Sequence, residues 1–312
     1  MIDLEVYEVE TRAHLRGQAK HKPLHKPQDI HSEIWSAIVK LNNSAGEAFQ
    51  PSYLAGHPDS TERMWLRAAL VGFYEDSLLN DVLQMVKGGK EASVYCCAAH
   101  PATGAEWLAA KVYRPRMLRS LKNDAPYKEG RTMLDEQGKA IRDRRRQLAL
   151  TKKTRFGGEL EITAWIEHEF QTMQMLYDAG ADLPRPLAQH GHAILMDYLG
   201  QLGQPAPTLN QIELDPAEAS RLFARVMWNI ERMLACHRIH ADLSAYNILY
   251  WKGEIKLIDF PQAVDPRTNP NAQAMLARDV MRVCQYLARF GVRADPAQLS
   301  DDLWSRYMQA EL

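Results

Sequence analysis

The sequence has little of several features that mark large classes of protein. Its 4 cysteines include no C-x-x-C pair and are too few for a disulfide framework, so we expect reduced thiols in the cytoplasm. No apolar run approaches the ~18 residues of a membrane span, and we expect no membrane partner. The N-terminus is too acidic for a signal peptide. A net charge of −1 argues against general attraction to nucleic acid, which leaves only local patches.

The 312 residues, 46% of them apolar, suffice for one large or two ordinary folded domains. Residues 1–60 are the exception, because histidine, lysine, proline and glutamine are frequent there. A histidine-rich segment can bind metal, but these histidines lack the i, i+4 spacing and the neighbouring carboxylate of a metal site. We predict a partly flexible N-terminal extension over 1–60, with a short helix near 33–41, and a folded domain over 61–312.

The first part of the folded domain is predicted to be rich in β-strands. Apolar residues recur at helical spacing over about 61–73, which indicates one helix. Three β-prone runs follow, near 82–86, 93–97 and 107–113. Glycines in the turn between the first two are typical of a hairpin, so we expect an antiparallel sheet and not a βαβ unit.

Residues 111–155 are strongly basic, with 15 Lys and Arg against 5 Asp and Glu. A solvated, mobile loop with some helix accounts for this composition. The alternative is a basic arm that docks RNA or a ribosomal particle, although interleaved aromatic residues are sparse. Both interpretations stay open.

The second part of the domain is predicted to be mostly helical. A Gln-, Pro- and Gly-rich stretch over 201–212 indicates a linker between two lobes, and Asp215-Pro216 is typical of a helix start. The predicted elements are a helix over 161–176, a strand over 193–196, a helix from 216 towards His240, a hairpin over 248–258 and a helical region over 271–290.

The most informative stretch is H-A-D-L-S-A-Y-N at 240–247, followed by I-D-F at 258–260. Asn247 and Asp259 offer hard oxygen ligands of the kind that suit Mg²⁺ shared with phosphates. Asp242, on the same loop as Asn247, is left free to accept a hydroxyl proton. The structural alternative is a capping Asp, a turn Asn and an exposed strand-end Asp. H-x-D-x-x-x-x-N with I-D-F matches the phosphotransferase set, which favours the catalytic interpretation.

A phosphotransferase also needs a lysine on a strand, and Lys111 interrupts an apolar run where a charge would otherwise be costly. Its partner must be a helix carboxylate, for which Glu169 is the better candidate and Glu167 the second. A snorkelling surface lysine and a surface carboxylate are the structural alternatives.

The hairpin turn before Lys111 can supply a phosphate-binding loop. In Lys87–Val94, backbone N–H groups and the Ser93 hydroxyl can face phosphates, although an ordinary turn would look the same. The order along the chain (loop, lysine, helix glutamate, D-x-x-x-x-N, I-D-F) favours phosphoryl transfer. Pro261 stands where protein kinases usually carry glycine, and no A-P-E triplet follows. We therefore expect no ordinary activation segment.

Together these stretches resemble the RIO family of atypical protein kinases. The similar stretches are G-K-E-A-S-V-Y at 89–95, K-V-Y at 111–113, W-I-E-H-E-F at 165–170, H-A-D-L-S-A-Y-N-I-L at 240–249 and I-D-F-P-Q at 258–262. The likeness runs from about residue 62 to 290. It departs from the family at Ala241, where the family carries glycine, and residues 1–60 show no winged-helix pattern.

The resemblance implies an α+β fold of two lobes, similar to protein kinases: an antiparallel β N-lobe over 61–200, containing a flexible basic loop at 114–155, and a truncated, mostly helical C-lobe over 201–312. It also implies ATP and Mg²⁺ as cofactors, with Mn²⁺ as an alternative metal. Asp242 and Lys111 would be catalytic, and Asn247 and Asp259 would bind the metal. Nucleotide contacts would come from Gly88, Gly89, Lys90, Glu91, Ala92, Ser93, Val94, Lys111, Glu169, Met196, Asp197 and Leu199.

Three functions fit these residues. The first is a Ser/Thr protein kinase of RIO type that also phosphorylates itself. The second is a RIO-type ATPase switch in ribonucleoprotein assembly, which the basic 111–155 segment favours. The third is a small-molecule phosphotransferase similar to aminoglycoside or choline kinases, which share H-x-D-x-x-x-x-N but lack the G-K-E-A-S-V-Y loop and the W-x-E-x-E-F helix.

Overall fold

The computed structural model of the chain describes residues 49–55, 61–89, 91–113 and 155–312. The predicted helix near 33–41, the histidine-rich segment, Lys90 and the basic loop at 114–154 lie outside the described residues. Within the described ranges, no helix is long and apolar enough to cross a membrane. All 4 cysteines are described and are free thiols.

The N-lobe is built around a five-stranded antiparallel sheet, which confirms the predicted hairpin and third strand. The strand order is β1-β2-β3-β5-β4, so the two hairpins meet where β3 pairs with β5. Two helices accompany the sheet. The elements are α1 (Thr61–Glu75), β1 (Leu79–Gly88), β2 (Ala92–Ala99), β3 (Trp107–Tyr113), α2 (Arg155–Asp178), β4 (Pro186–His190) and β5 (Ala193–Asp197).

The two faces of the sheet belong to two different apolar cores. Leu108, Ala110 and Val112 of β3 pack in a core with the buried residues of α1. Ala109 and Tyr113 lie instead in a core with α2 and the helices of the second lobe. Side chains alternate between faces along a strand, so Lys111 falls on the side of Ala109 and Tyr113. The strand therefore directs Lys111 towards α2.

Part of the predicted N-terminal extension packs on the N-lobe. Phe49 and Leu54 are buried in the same core as α1, and the Ser52 N–H donates to Asp81 Oδ1 at 2.7 Å. This segment anchors the chain against β1.

The C-lobe is mostly helical, as predicted. The stretch predicted as a linker contains two short paired strands and a 3-10 turn, Leu209–Gln211. A helix after residue 295 was not predicted. The elements are β6 (Gly200–Gln201), β7 (Gln204–Pro205), α3 (Pro216–Ala235), β8 (Ile248–Trp251), β9 (Glu254–Leu257), α4 (Ala272–Ala288) and α5 (Pro296–Met308).

Helix α3 begins at the predicted residue because Asp215 caps it. The Asp215 side chain accepts the Glu218 N–H at 2.8 Å, and Pro216 occupies the first turn, where no N–H is needed. An apolar stripe that includes Leu222, Val226 and Ile230 is buried in the core of the lobe. The helix thus fixes the chain that leads to His240.

Candidate active site

Lys111 joins the two lobes through two carboxylates. Its Nζ lies 2.7 Å from Glu169 Oε1 and 2.7 Å from Asp259 Oδ1. Glu169 comes from α2 in the N-lobe, and Asp259 follows β9 in the C-lobe. Glu167, the other carboxylate that the sequence offers, instead accepts a hydrogen bond from the Gln171 amide at 2.8 Å.

Lys111 and Asp259 hold each other in their ionised forms where burial would oppose it, whereas the pKa of Glu169 shifts the other way. Burial alone would lower the pKa of Lys111, but Asp259 and Glu169 outweigh it and raise that pKa above its ordinary value. Burial likewise opposes ionisation of Asp259, yet Lys111 brings its pKa below the ordinary value. Burial raises the pKa of Glu169, against the opposing effect of Lys111.

Glu169 also fixes the backbone that carries Asp259. Glu169 is fully buried, and its Oε1 accepts the Phe260 N–H at 3.2 Å. Asp259 adopts a left-handed backbone conformation, with φ of 73°. Aspartate tolerates this region better than most residues, although it costs energy. Strain at this position is held by the Glu169 contact and points to a functional constraint.

Asn247 and Asp259 are brought together by the backbone. The Ile258 N–H donates to the Asn247 carbonyl oxygen at 3.0 Å, which places Asn247 beside the residue that precedes Asp259. The Asn247 Nδ2 donates to the Asp242 carbonyl oxygen at 2.9 Å, so its Oδ1 points elsewhere and is left as a ligand. Asp259 Oδ2 has no hydrogen-bond partner among the described residues. These oxygens fit Mg²⁺, which proteins bind through few side chains together with substrate phosphates.

His240 holds the start of the loop against the same strand end. Its Nε2 lies 3.1 Å from the Ile258 carbonyl oxygen, and its ring packs on Phe260 with centroids 4.9 Å apart. Burial lowers the pKa of His240, which favours the neutral ring as donor to that carbonyl.

Three residues of α4, none of them predicted from the sequence, bind the loop at 241–243, which we call the catalytic loop after the predicted role of Asp242. Buried Asp279 accepts the Ala241 N–H at 2.7 Å and the Leu243 N–H at 3.0 Å. Arg278 donates to the Ala241 carbonyl oxygen, and Arg282 Nη1 lies 2.8 Å from Asp242 Oδ1. We call these three residues the α4 clamp.

The α4 clamp also explains how alanine fits where the related family carries glycine. Ala241 has φ of 63°, in the left-handed region that disfavours a side chain. Asp279 and Arg278 bond both of its backbone polar groups and so hold the strained conformation. Alanine at this position therefore restricts the backbone conformation of the loop, but the loop keeps its place against α4.

The predicted phosphate loop is a tight hairpin turn. Gly88 ends β1, Ala92 to Val94 begin β2, and the Gly89 N–H donates to the Ala92 carbonyl oxygen at 2.9 Å. A Cβ on Gly89 would lie 2.7 Å from that oxygen, so glycine is required there. Glu91 lies in the turn, and the Ser93 side chain is fully buried on β2. The Ser93 hydroxyl therefore faces the protein interior.

The predicted nucleotide contacts Met196, Asp197 and Leu199 lie at the end of β5 and just beyond it, in a segment that we call the hinge. Met196 is buried beside Ala109 of β3, two residues from Lys111. The Asp197 N–H donates to the Arg185 carbonyl oxygen, and the Leu199 carbonyl oxygen accepts the Ala206 N–H. The Leu199 N–H donates to no described residue and can meet a nucleotide base.

The arrangement suits phosphoryl transfer. Lys111 and the ligand oxygens of Asn247 and Asp259 can meet phosphates from two sides, and Asp242 Oδ2, which bonds no described residue, can accept a proton. Within the described ranges, no cluster of three or more His, Cys, Asp or Glu side chains could hold a metal.

Comparison with known proteins agrees with this geometry. A sequence profile of the RIO domain matches residues 94–299, which contain Lys111, Glu169 and the catalytic loop. Serine/threonine-protein kinase rio1 of Schizosaccharomyces pombe is 28% identical over 230 residues, or 72% of this chain and 41% of that protein. The RIO-type serine/threonine-protein kinase Rio1 of Thermoplasma acidophilum is 30% identical over 140 residues, or 45% of this chain and 72% of that protein.

The match covers a domain and not the full length of the larger relatives. Human serine/threonine-protein kinase RIO3 is 31% identical over 133 residues, which are 42% of this chain and 25% of that protein. The chain spans about 41% of the length of the Schizosaccharomyces pombe relative. The residues that match the RIO domain, 94–299, include strands β3 to β5, α2 and the loop at 240–247, and the RIO domain is kinase-like. This chain belongs to the RIO domain family.

Proposed function

We propose that this chain is an ATP- and Mg²⁺-dependent protein kinase that transfers the γ-phosphoryl group of ATP to a Ser or Thr hydroxyl, including hydroxyls of its own chain. One observation carries the proposal: Lys111 bridges Glu169 and Asp259 at 2.7 Å each, next to a loop that presents Asp242 and Asn247. The names of the relatives, all serine/threonine-protein kinases, support the same acceptor class.

The transfer needs positioning and charge neutralisation more than covalent chemistry. Lys111 would bind the phosphates while Glu169 keeps its ammonium in place. A Mg²⁺ ion held by Asn247 and Asp259 would neutralise charge on the phosphate oxygens. Asp242 would accept the proton of the acceptor hydroxyl as its oxygen bonds to the γ-phosphorus and the bond to ADP breaks.

The adenine end of the nucleotide would lie against the hinge. Asp197 ends β5 and Leu199 follows two residues later, so the backbones of both would meet the base near the end of this strand. The turn at Gly88 and Gly89 would cover the phosphates.

The proposal is tested by following γ-labelled phosphate from Mg-ATP with purified wild type, Asp242→Asn and Lys111→Ala. We expect label on protein Ser or Thr with wild type and none with either variant. Asp301→Asn is a matched control, because Asp301 is an exposed carboxylate on α5. It should label like wild type.

The outcomes separate the other two functions. Mostly free phosphate, with an alkali-labile adduct on Asp259, would replace the kinase by an ATPase switch. Binding of ATP without any label on protein would favour the small-molecule phosphotransferase over the protein kinase. Equal labelling by wild type and Asp242→Asn would contradict the proposed role of Asp242.

A further inference from the structure

The Asp242 carboxylate has a cationic partner that the proposed transfer does not use. Arg282 Nη1 lies 2.8 Å from Asp242 Oδ1, and the two side chains are 37% and 47% exposed. Both side chains can therefore be reached from solvent, as an acceptor hydroxyl that approaches Asp242 would require.

Arg282 differs from the other two members of the α4 clamp. Asp279 is buried and binds backbone N–H groups, and Arg278 binds a backbone carbonyl. These two contacts shape the loop. Arg282, one turn further along α4, contacts the reactive side chain itself and remains partly in solvent.

Most of the hydrogen-bonding capacity of the pair is not used by the described residues. A guanidinium has five N–H donors, and only one is used by Asp242. The others have no partner among the described residues. Asp242 Oδ2 is likewise without a partner there. A hydroxyl can thus donate a hydrogen bond to Asp242 Oδ2 while an anion beside it accepts hydrogen bonds from Arg282.

Lys111 cannot supply this anion contact. In the proposed transfer it binds the phosphates of the nucleotide, and its side chain is only 11% exposed. An anionic group that arrives with the acceptor would meet Arg282 instead. Arginine also matches carboxylate and phosphate oxygens with two parallel N–H bonds, which makes such contacts strong and directional.

We propose that Arg282 forms an acceptor-side anion subsite, so that the chain prefers Ser or Thr segments with a carboxylate or phosphate beside the hydroxyl. This rests on the proposed function, because it takes Asp242 as the group that the acceptor hydroxyl approaches. Arg282 is a specificity-determining residue in this arrangement, and it also orients Asp242 through Oδ1. An acceptor with a cationic neighbour would be repelled.

The test measures binding, so that it does not depend on turnover. Two pools of fluorescent peptides with a central Ser, flanked by Glu in one and by Gln in the other, are titrated onto the full chain. We expect wild type to bind the Glu pool about tenfold more tightly, the effect of roughly one charge-assisted contact. Arg282→Gln should bring the two pools within about twofold of each other, because it keeps a donor to Asp242 but removes the charge. Arg282→Lys should keep part of the preference.

A matched control is Arg289→Gln, since Arg289 lies just beyond α4 and stacks on Tyr286 and Phe290. It should retain the full preference for the Glu pool. The basic residues 111–155 could attract acidic peptides in general, but wild type, Arg282→Gln and Arg289→Gln all carry them, so a preference lost only in Arg282→Gln belongs to Arg282. Pools with phosphoserine in place of Glu distinguish the phosphate source from the carboxylate source.

The subsite is overturned if wild type binds the two pools equally, binds neither, or if the preference survives in Arg282→Gln. It is also overturned if Arg282→Gln weakens both pools by the same factor, since that describes a general structural role. Label transfer without a Glu preference removes the subsite and leaves the kinase. A Glu preference without label transfer removes the kinase and leaves the anion subsite.

Discussion

One carboxylate oxygen of Glu169 makes two contacts. Its Oε1 contacts the Lys111 ammonium and accepts the Phe260 N–H, although the residue has no solvent exposure. A buried carboxylate is stable only when its charge is compensated in this way. The residue therefore couples the lysine strand to the backbone of the proposed metal ligand Asp259.

Glu169→Gln keeps the shape of the side chain and removes its charge. We expect the free energy of unfolding to fall by about 1–3 kcal/mol, because hydrogen bonds to a charged group are lost. Label transfer should fall by roughly 10- to 100-fold, since Lys111 and Asp259 lose their fixed positions. Denaturant unfolding and transfer of γ-labelled phosphate measure the two effects.

The control for this change is Glu167→Gln, which alters a carboxylate two residues earlier on the same helix. Glu167 contacts Gln171 and not Lys111, so both quantities should stay near the wild-type values. Equal losses of unfolding free energy and of label transfer in the two variants would show that the Lys111 contact is not their cause.

At the residue scale, motif spacing could identify the residues that lie close together in sequence, and Asp242, Asn247 and Asp259 are of this kind. The α4 clamp could not be identified in this way, because its contacts join residues 36 to 40 apart. One signal was available. Asp279 interrupts the buried stripe of Leu276, Val280 and Val283, where an unpaired charge would be costly.

At the element scale, α4 is the support of the catalytic loop. Asp279 binds the Ala241 and Leu243 amides, and burial raises the pKa of its carboxyl to about 7. A carboxyl with a raised pKa in the folded state stabilises the fold fully below its unfolded pKa. That contribution is lost as the pH rises through about 7.

Asp279→Asn should therefore show a deficit in unfolding free energy that shrinks between pH 5 and pH 8. The wild type binds a proton at Asp279 at the lower pH and loses it at the higher one, whereas asparagine does not titrate. Urea unfolding of both proteins at the two pH values gives the deficit as a difference, which cancels the other titrating groups. A deficit that grows with pH would contradict the assignment, and Asp301→Asn should show no pH-dependent difference.

The element boundaries show where sequence patterns suffice and where they do not. The bounds of β3 and the start of α3 agree with prediction, because a β-prone run and a capping aspartate are local signals. Helix α5 was missed although Asp295 accepts two N–H bonds and Pro296 follows it, which is the same signal as at α3. The paired strands at 200–205 have only two residues each, too few for any periodicity to show.

At the scale of the whole molecule, one apolar core spans both lobes. It includes Tyr113 and Met196 from the sheet, the buried face of α2 and the helices of the C-lobe. The proposed nucleotide contacts come from both sides of this core. A nucleotide held by contacts from both lobes would be released when either lobe unfolds.

Mg-ATP should therefore stabilise the folded chain. At a free concentration about 100 times its Kd, the gain in unfolding free energy is about 2.7 kcal/mol. Thermal unfolding should show a higher Tm with Mg-ATP, a smaller rise when EDTA removes the metal, and little rise in Lys111→Ala. A rise of equal size in Lys111→Ala would place the nucleotide elsewhere.

The Asp279 contact has a consequence for amide hydrogen exchange. Exchange requires the hydrogen bond of an amide to open, and opening here requires α4 to separate from the loop. The amides of Ala241 and Leu243 should thus exchange as slowly as the amides in the middle of a helix. The exchange rates of these two amides therefore report how often α4 separates from the catalytic loop. They can be measured in the absence of any substrate.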